Sequence, residues 1–221
     1  MDDLRIDPDV VLWSAPASQR PDRPLLVLLH GYGADEHDLF ALAPSLPRDF
    51  VCAAVRAPLS PPWPAPGHSW YPIEDVVDGE LSDRDPARVT AAASSVLTWL
   101  DAAAAEAAHI GLLGFSQGAS VALQALRLQP ERFAFAVNLS GYAAPGALAR
   151  DAELAARHVP VFWGRGARDE VIPPALVEHT AQWLPAHSDL SGRVYPGLTH
   201  SVSEDELADV RVFLDKRLEA L

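Results

Sequence analysis

The sequence predicts an α/β fold, with a mostly parallel central sheet and helices on both faces. Three observations predict it. Short apolar runs alternate with stretches of helical periodicity. Several of the runs are continuously apolar, which suits parallel strands covered on both sides. No repeat, charge block or Gly/Ser linker divides the 221 residues, so one domain over 1–221 is expected.

The expected strands are residues 10–13, 25–29, 51–55, 110–115, 134–139, 159–163 and 193–195. A helix is expected over 86–107, with Asp85 as N-cap and Pro86 at the first helical position. Val89, Ala93, Val96, Leu97 and Leu100 give it one apolar face. The stretch 117–128 is apolar almost all round and stops before Pro130, which predicts a buried helix. A third helix is expected over 174–184. The last begins at Ser203, with Glu206 in capping-box spacing and Leu207, Val210, Leu214 and Leu218 on one face. Residues 57–72 are rich in proline and read as a rigid loop.

Composition narrows the function classes. The formal net charge of -13 repels phosphate backbones and anionic headgroups, against nucleic acid as a partner. No run approaches 18 apolar residues, so no membrane span is expected. Cys52 is the single cysteine and sits in an apolar run, which makes it a buried structural thiol and leaves no internal disulfide. The N-terminus lacks a basic region followed by an apolar one, and a cytoplasmic address is the simplest expectation.

Gly114-Phe115-Ser116-Gln117-Gly118 is the strongest chemical signal. It is a G-x-S-x-G sequence between an expected strand and an expected helix, the context in which such a serine becomes a nucleophile. The helix N-terminus places positive potential where an oxyanion would develop. A serine hydroxyl needs a base, and the base needs an orienting acid. Of the histidines after Ser116, His158 precedes a strand, and His179 and His187 belong to a helix and its exit. His200 lies between the last strand and the last helix, at the carboxyl edge where sites of open α/β sheets gather. Asp169, past the strand at 159–163, suits the acid; Glu170 is the nearest competitor, and Asp151 and Asp189 are remote ones. Leu28-Leu29-His30-Gly31-Tyr32-Gly33 ends the first strong strand, and the Tyr32 N–H is expected to join that of Gln117 in an oxyanion hole. Trp63, Trp70 and Tyr71 are candidates for an apolar substrate groove. No His/Cys/Asp spacing suggests a metal.

Taken together, these residues make the chain resemble the phospholipase/carboxylesterase family, which includes the acyl-protein thioesterases. The resemblance rests on Leu29-His30-Gly31-Tyr32-Gly33-Ala34-Asp35, Arg56-Ala57-Pro58, Trp70-Tyr71, the Ser116 pentapeptide, Asp169-Glu170-Val171-Ile172-Pro173 and Gly197-Leu198-Thr199-His200, and covers roughly residues 25–215. It implies an α/β-hydrolase fold with little or no lid and a triad of Ser116, Asp169 and His200. It also implies oxyanion donors at Tyr32 and Gln117, hydrolysis of small-molecule acyl esters or thioesters, no cofactor, and a monomer or homodimer. The chain departs from the family pattern at Pro72, where an acidic residue is common, and at Ala119, where many members have glycine. A peptidase or acyltransferase shares the triad chemistry. A non-catalytic binding protein on the same fold is the rival of another class; it would normally have lost a triad member, and here all three positions are filled.

Overall fold

The computed structural model describes residues 4–62, 64–73, 85–105 and 107–221. Its strands are β1 (Leu12–Trp13), β2 (Leu25–Leu29), β3 (Val51–Val55), β4 (Ile110–Phe115), β5 (Phe135–Leu139), β6 (Pro160–Gly166) and β7 (Asp189–Tyr195). Its helices are α1 (Glu36–Phe40), α2 (Pro86–Ala103), α3 (Gln117–Leu128), α4 (Asp151–Arg157), α5 (Pro174–His187) and α6 (Glu204–Leu218). The strands form one sheet in the order β1-β3-β2-β4-β5-β6-β7. Every neighbouring pair is parallel except β1 against β3.

The continuous apolar runs have the expected cause. In β2, Leu25, Val27 and Leu29 join a core shared with α2, α3 and α5, while Leu26 and Leu28 join a second core with α1 and α6. A strand buried on both faces needs apolar side chains at both parities. Cys52 belongs to the second core, and burial pushes its thiol up to about 11, so it stays protonated and inert at neutral pH.

Boundaries moved where local signals were weak. Residues 8–10 form a single 3-10 turn capped by Asp7, which leaves β1 only two residues. Strand β7 starts at Asp189 rather than 193; it is a half-exposed edge strand, and Ser191-Gly192 hides its first half from a propensity reading. Helix α5 runs past Pro185 to His187. The side chains of His187 and Ser188 bond the carbonyls of Trp183 and Leu184 at 2.8 and 2.7 Å and satisfy that last turn. Helices α1 and α4 were not expected; five and seven residues are too few to show a period.

The expected cap of α6 forms by half. Ser203 Oγ accepts the Glu206 N–H at 3.1 Å. The Ser203 N–H faces the Glu206 carboxyl in return, but no bond of good geometry closes between them. The carboxyl is fully buried against Gly164, where an added Cβ would lie 2.1 Å from Oε1, and neither oxygen has a hydrogen-bond partner among the described residues. Burial outweighs the lowering effect of the Ser203 N–H and, with Asp209 one turn on, raises this carboxyl to about 7. The folded chain therefore binds the proton more tightly than the unfolded one. Stability falls as pH rises from the unfolded value toward 7, by about 3 kcal/mol for a shift of this size. Glu206→Met should remove that slope. Its stability advantage over wild type is expected to widen by about 3 kcal/mol between pH 4.5 and 8 in urea unfolding curves. A constant difference across that range would count against it.

Candidate active site

The site is assembled at the carboxyl ends of β2, β4, β6 and β7, which parallel pairing brings to one edge. Ser116 is the residue between β4 and α3, with φ 52° and ψ -115°. Its N–H donates to the Leu139 carbonyl of β5 at 2.8 Å. The turn is possible only because two glycines admit backbone close by. A Cβ at Gly118 would lie 2.0 Å from the Leu29 carbonyl oxygen, and one at Gly114 would lie 2.5 Å from the Ala119 backbone. Ala119 itself is accommodated by Gly141, whose own Cβ would fall 2.4 Å from the Ala119 methyl.

Three side chains converge there. His200 Nε2 lies 2.8 Å from Ser116 Oγ, and His200 Nδ1 lies 2.7 Å from Asp169 Oδ2. Asp169 is held from below: its Oδ1 accepts the N–H groups of Val171 and Ile172 at 2.9 and 3.2 Å. The carboxylate side chain is 5% exposed and the imidazole 15%. Phe115 packs beside the imidazole, ring centroids 5.0 Å apart. Among the competing acids, Glu170 is exposed, Asp189 opens β7, and Asp151 pairs with Arg127. His158 ends α4 at the amino edge of β6, and His179 and His187 lie on α5.

A cavity of about 190 Å³ opens over this group. Ser116, His200, Tyr32 and Gln117 face it together with Gly31, Phe115, Tyr71, Ile73 and Val171. The N–H groups of Tyr32 and Gln117 have no hydrogen-bond partner among the described residues. A larger depression of about 950 Å³ runs along α2 beside Leu4, Ile6 and Trp99 and contains none of these groups.

The aromatic candidates separate. Tyr71 lines the cavity, with its hydroxyl 2.7 Å from that of Tyr142. Trp70 does not. Its side chain is fully buried and turned away from the groove, with indole Nε1–H donating to the His30 carbonyl at 2.8 Å. Trp63 lies outside the described residues, as does Glu74. Ile73 and Val171 line the cavity too; Ile73 was not singled out and Val171 only as part of the Asp169–Pro173 motif, since neither carries a chemical signature and only the folded loops bring them here.

His30 is tied into the structure by both ring nitrogens. Its Nε2 accepts the Ala57 N–H at 3.0 Å, which leaves the proton on Nδ1 to donate to the Gly31 carbonyl at 2.7 Å. Burial lowers its pKa, so the neutral ring is the stable one. Arg56 makes a forked pair with the buried Glu36 and fixes the start of α1 behind the Tyr32 loop. Asp35, Glu36 and His37 place ligand-capable atoms within 4.8 Å of one another. Glu36 is already committed to Arg56, and Asp35 caps α1 through the His37 N–H.

No helix among the described residues is long and apolar enough to cross a membrane. The family profile described as phospholipase/carboxylesterase matches residues 14–218. A probable carboxylesterase of Oryza sativa subsp. japonica is 27% identical over 180 residues, covering 76% of this chain and 65% of that one. Acyl-protein thioesterase 1 of Saccharomyces cerevisiae is 34% identical over 109 residues, covering 48% of each chain. The matches thus span between about half and two thirds of those relatives' own lengths. The crystal structure of esterase PE8 superposes with a TM-score of 0.76 at 26% identity, covering 96% of this chain and 99% of that one. With a sheet of this order, a serine turn between strand and helix, and a profile match over nearly its whole length, the chain belongs to the phospholipase/carboxylesterase family and has the α/β-hydrolase fold.

Proposed function

We propose that the chain is a serine carboxylesterase that hydrolyses short- to medium-chain acyl esters through an acyl-enzyme, without a cofactor. The unbroken path from Asp169 through His200 to Ser116 Oγ carries this reading, because it is an activated nucleophile beside two unengaged backbone donors. His200 Nε2 takes the Ser116 proton as Oγ attacks the ester carbonyl. The Tyr32 and Gln117 N–H groups receive the negative charge on the carbonyl oxygen. His200 then protonates the leaving alcohol, and a water repeats the sequence to release the acid and restore the serine. Asp169 holds the imidazole tautomer and stabilises its charged form. The groove walls, Tyr71, Ile73 and Val171, offer apolar contact to the acyl chain. A small-molecule substrate fits a cavity of this size, and a cytoplasmic monomer or homodimer is the assembly the family resemblance implies.

Thioesters are the second reading, as in an acyl-protein thioesterase; a lysophospholipase, which cleaves the oxygen ester of a lysophospholipid, is a variant of the ester reading. The likeness to the yeast acyl-protein thioesterase supports the thioester reading, and the same chemistry serves a thiol leaving group. Turnover of p-nitrophenyl esters from acetate to decanoate, with an acyl-thioester in parallel, tests both. Ser116→Ala is expected to abolish turnover of every member. An alanine variant as fast as wild type would overturn the assignment.

A further inference from the structure

Behind the nucleophile, one side chain ties two parts of the site together. Gln117 is 2% exposed, and both ends of its amide are engaged. Its Oε1 accepts the Trp70 N–H at 2.8 Å, and its Nε2 donates to the Tyr71 carbonyl at 2.7 Å. From Trp70 the path continues through the indole to the His30 carbonyl, one peptide before the Tyr32 N–H. The same loop is held by His68, whose carbonyl accepts the Gly33 N–H and whose N–H donates to the Ala34 carbonyl. Gln117 thus carries one unengaged donor on its backbone, and its side chain braces both the loop carrying the other donor and the Tyr71–Ile73 wall of the groove.

We infer that the Gln117 side chain is a positioning residue: it sets the spacing between the oxyanion donors and the groove wall, and so the acyl chain lengths that react well. The inference rests on the proposed esterase reading and concerns the same site. Its chemistry is directional. The group at this position must accept at one end and donate at the other, which a carboxamide does and a carboxylate cannot. In Gln117→Glu, the ionised form keeps the bond from Trp70 and sets an oxygen against the Tyr71 carbonyl. The protonated form regains a donor. Burial holds such a carboxyl above its ordinary pKa, so the change falls within the assay range.

The test compares kcat/KM of Gln117→Glu with wild type on p-nitrophenyl acetate and octanoate, at pH 6 and pH 8.5. At pH 8.5 the octanoate rate is expected to fall on the order of 10- to 100-fold further than the acetate rate, the cost of a buried group left without its partner. The ratio to wild type should recover as pH falls; dividing by wild type removes any pH dependence the two enzymes share. A ratio unchanged by pH and equal for both esters would overturn the inference and leave Gln117 a packing residue. Should the variant not fold, Trp70→Phe reads the other arm. That variant keeps the backbone bond to Gln117 and loses the one to His30, so a lower kcat at unchanged KM supports the inference, and a change in KM alone overturns it. If wild type turns over no ester, the proposed function falls by itself. The same comparisons are then read on the rates at which ethyl and octyl fluorophosphonates label Ser116.

Discussion

Asp169→Asn is expected to lower kcat by about 10⁴-fold, the size seen when the acid of such a triad becomes an amide, with the fold intact. The reason lies in how the carboxylate is used. Its Oδ1 accepts two backbone N–H groups, from Val171 and Ile172, and its Oδ2 accepts from His200 Nδ1. Asparagine has one acceptor oxygen. The two fixed N–H groups claim it, which turns the amide NH₂ toward the imidazole. Nδ1 must then accept, the ring proton moves to Nε2, and Nε2 can no longer take the proton of Ser116. Steady-state kinetics on a p-nitrophenyl ester check this, with circular dichroism melting as the control for folding. A fall of less than tenfold in a folded variant would show that Asp169 does not orient the base.

The second large effect concerns stability and lies away from the chemistry. Arg127 is fully buried on α3. It forks onto Asp151 at 2.9 and 2.8 Å and also reaches the carbonyls of Ala144 and Gly146 and the amide of Gln124. Its guanidinium lies 4.8 Å from the Trp183 ring centroid. Burial alone would raise the Asp151 carboxyl, but Arg127 and the Leu148 N–H outweigh it and hold the group below its ordinary value. A depressed carboxyl stabilises above its unfolded pKa, and this contribution fades as acid takes the pH through the folded value. Asp151→Ala leaves a buried guanidinium without its counter-charge, at about 3–5 kcal/mol. For a chain of this length, that lowers Tm by roughly 10 °C. Arg127→Leu combined with Asp151→Ala should cost less than the two single changes added, because no charge is stranded. Additive losses in thermal unfolding would mean that the pair is not coupled.

What could be read from the sequence follows from where the information lies. The turn at Ser116 was legible because strand, glycines and helix are adjacent in the chain, and α3 begins and ends as expected. His200 and Asp169 were legible by order and by their place after strands, since parallel strands send all their carboxyl ends to one edge. Trp70 was not. An aromatic in a proline-rich loop looks the same whether it lines a groove or plugs the space behind it, and only the His30 and Gln117 bonds distinguish the two. Arg127 was silent because its partner, Asp151, comes 24 residues later on a helix too short to announce itself. Glu206 stands in capping-box spacing, and the spacing does not reveal that its carboxyl turns inward against Gly164.

The strained, positive-φ backbone at Ser116 has a bearing on how this site tolerates change. A non-glycine residue there costs of order 1–3 kcal/mol, and the surrounding contacts must hold it in place. A chain released from catalysis would become more robust by exchanging this serine for glycine. The serine therefore persists against the interest of the fold. The residues that confine it, Gly114 and Gly118, have as little freedom to vary as the reactive group itself, though neither has a side chain to offer the reaction.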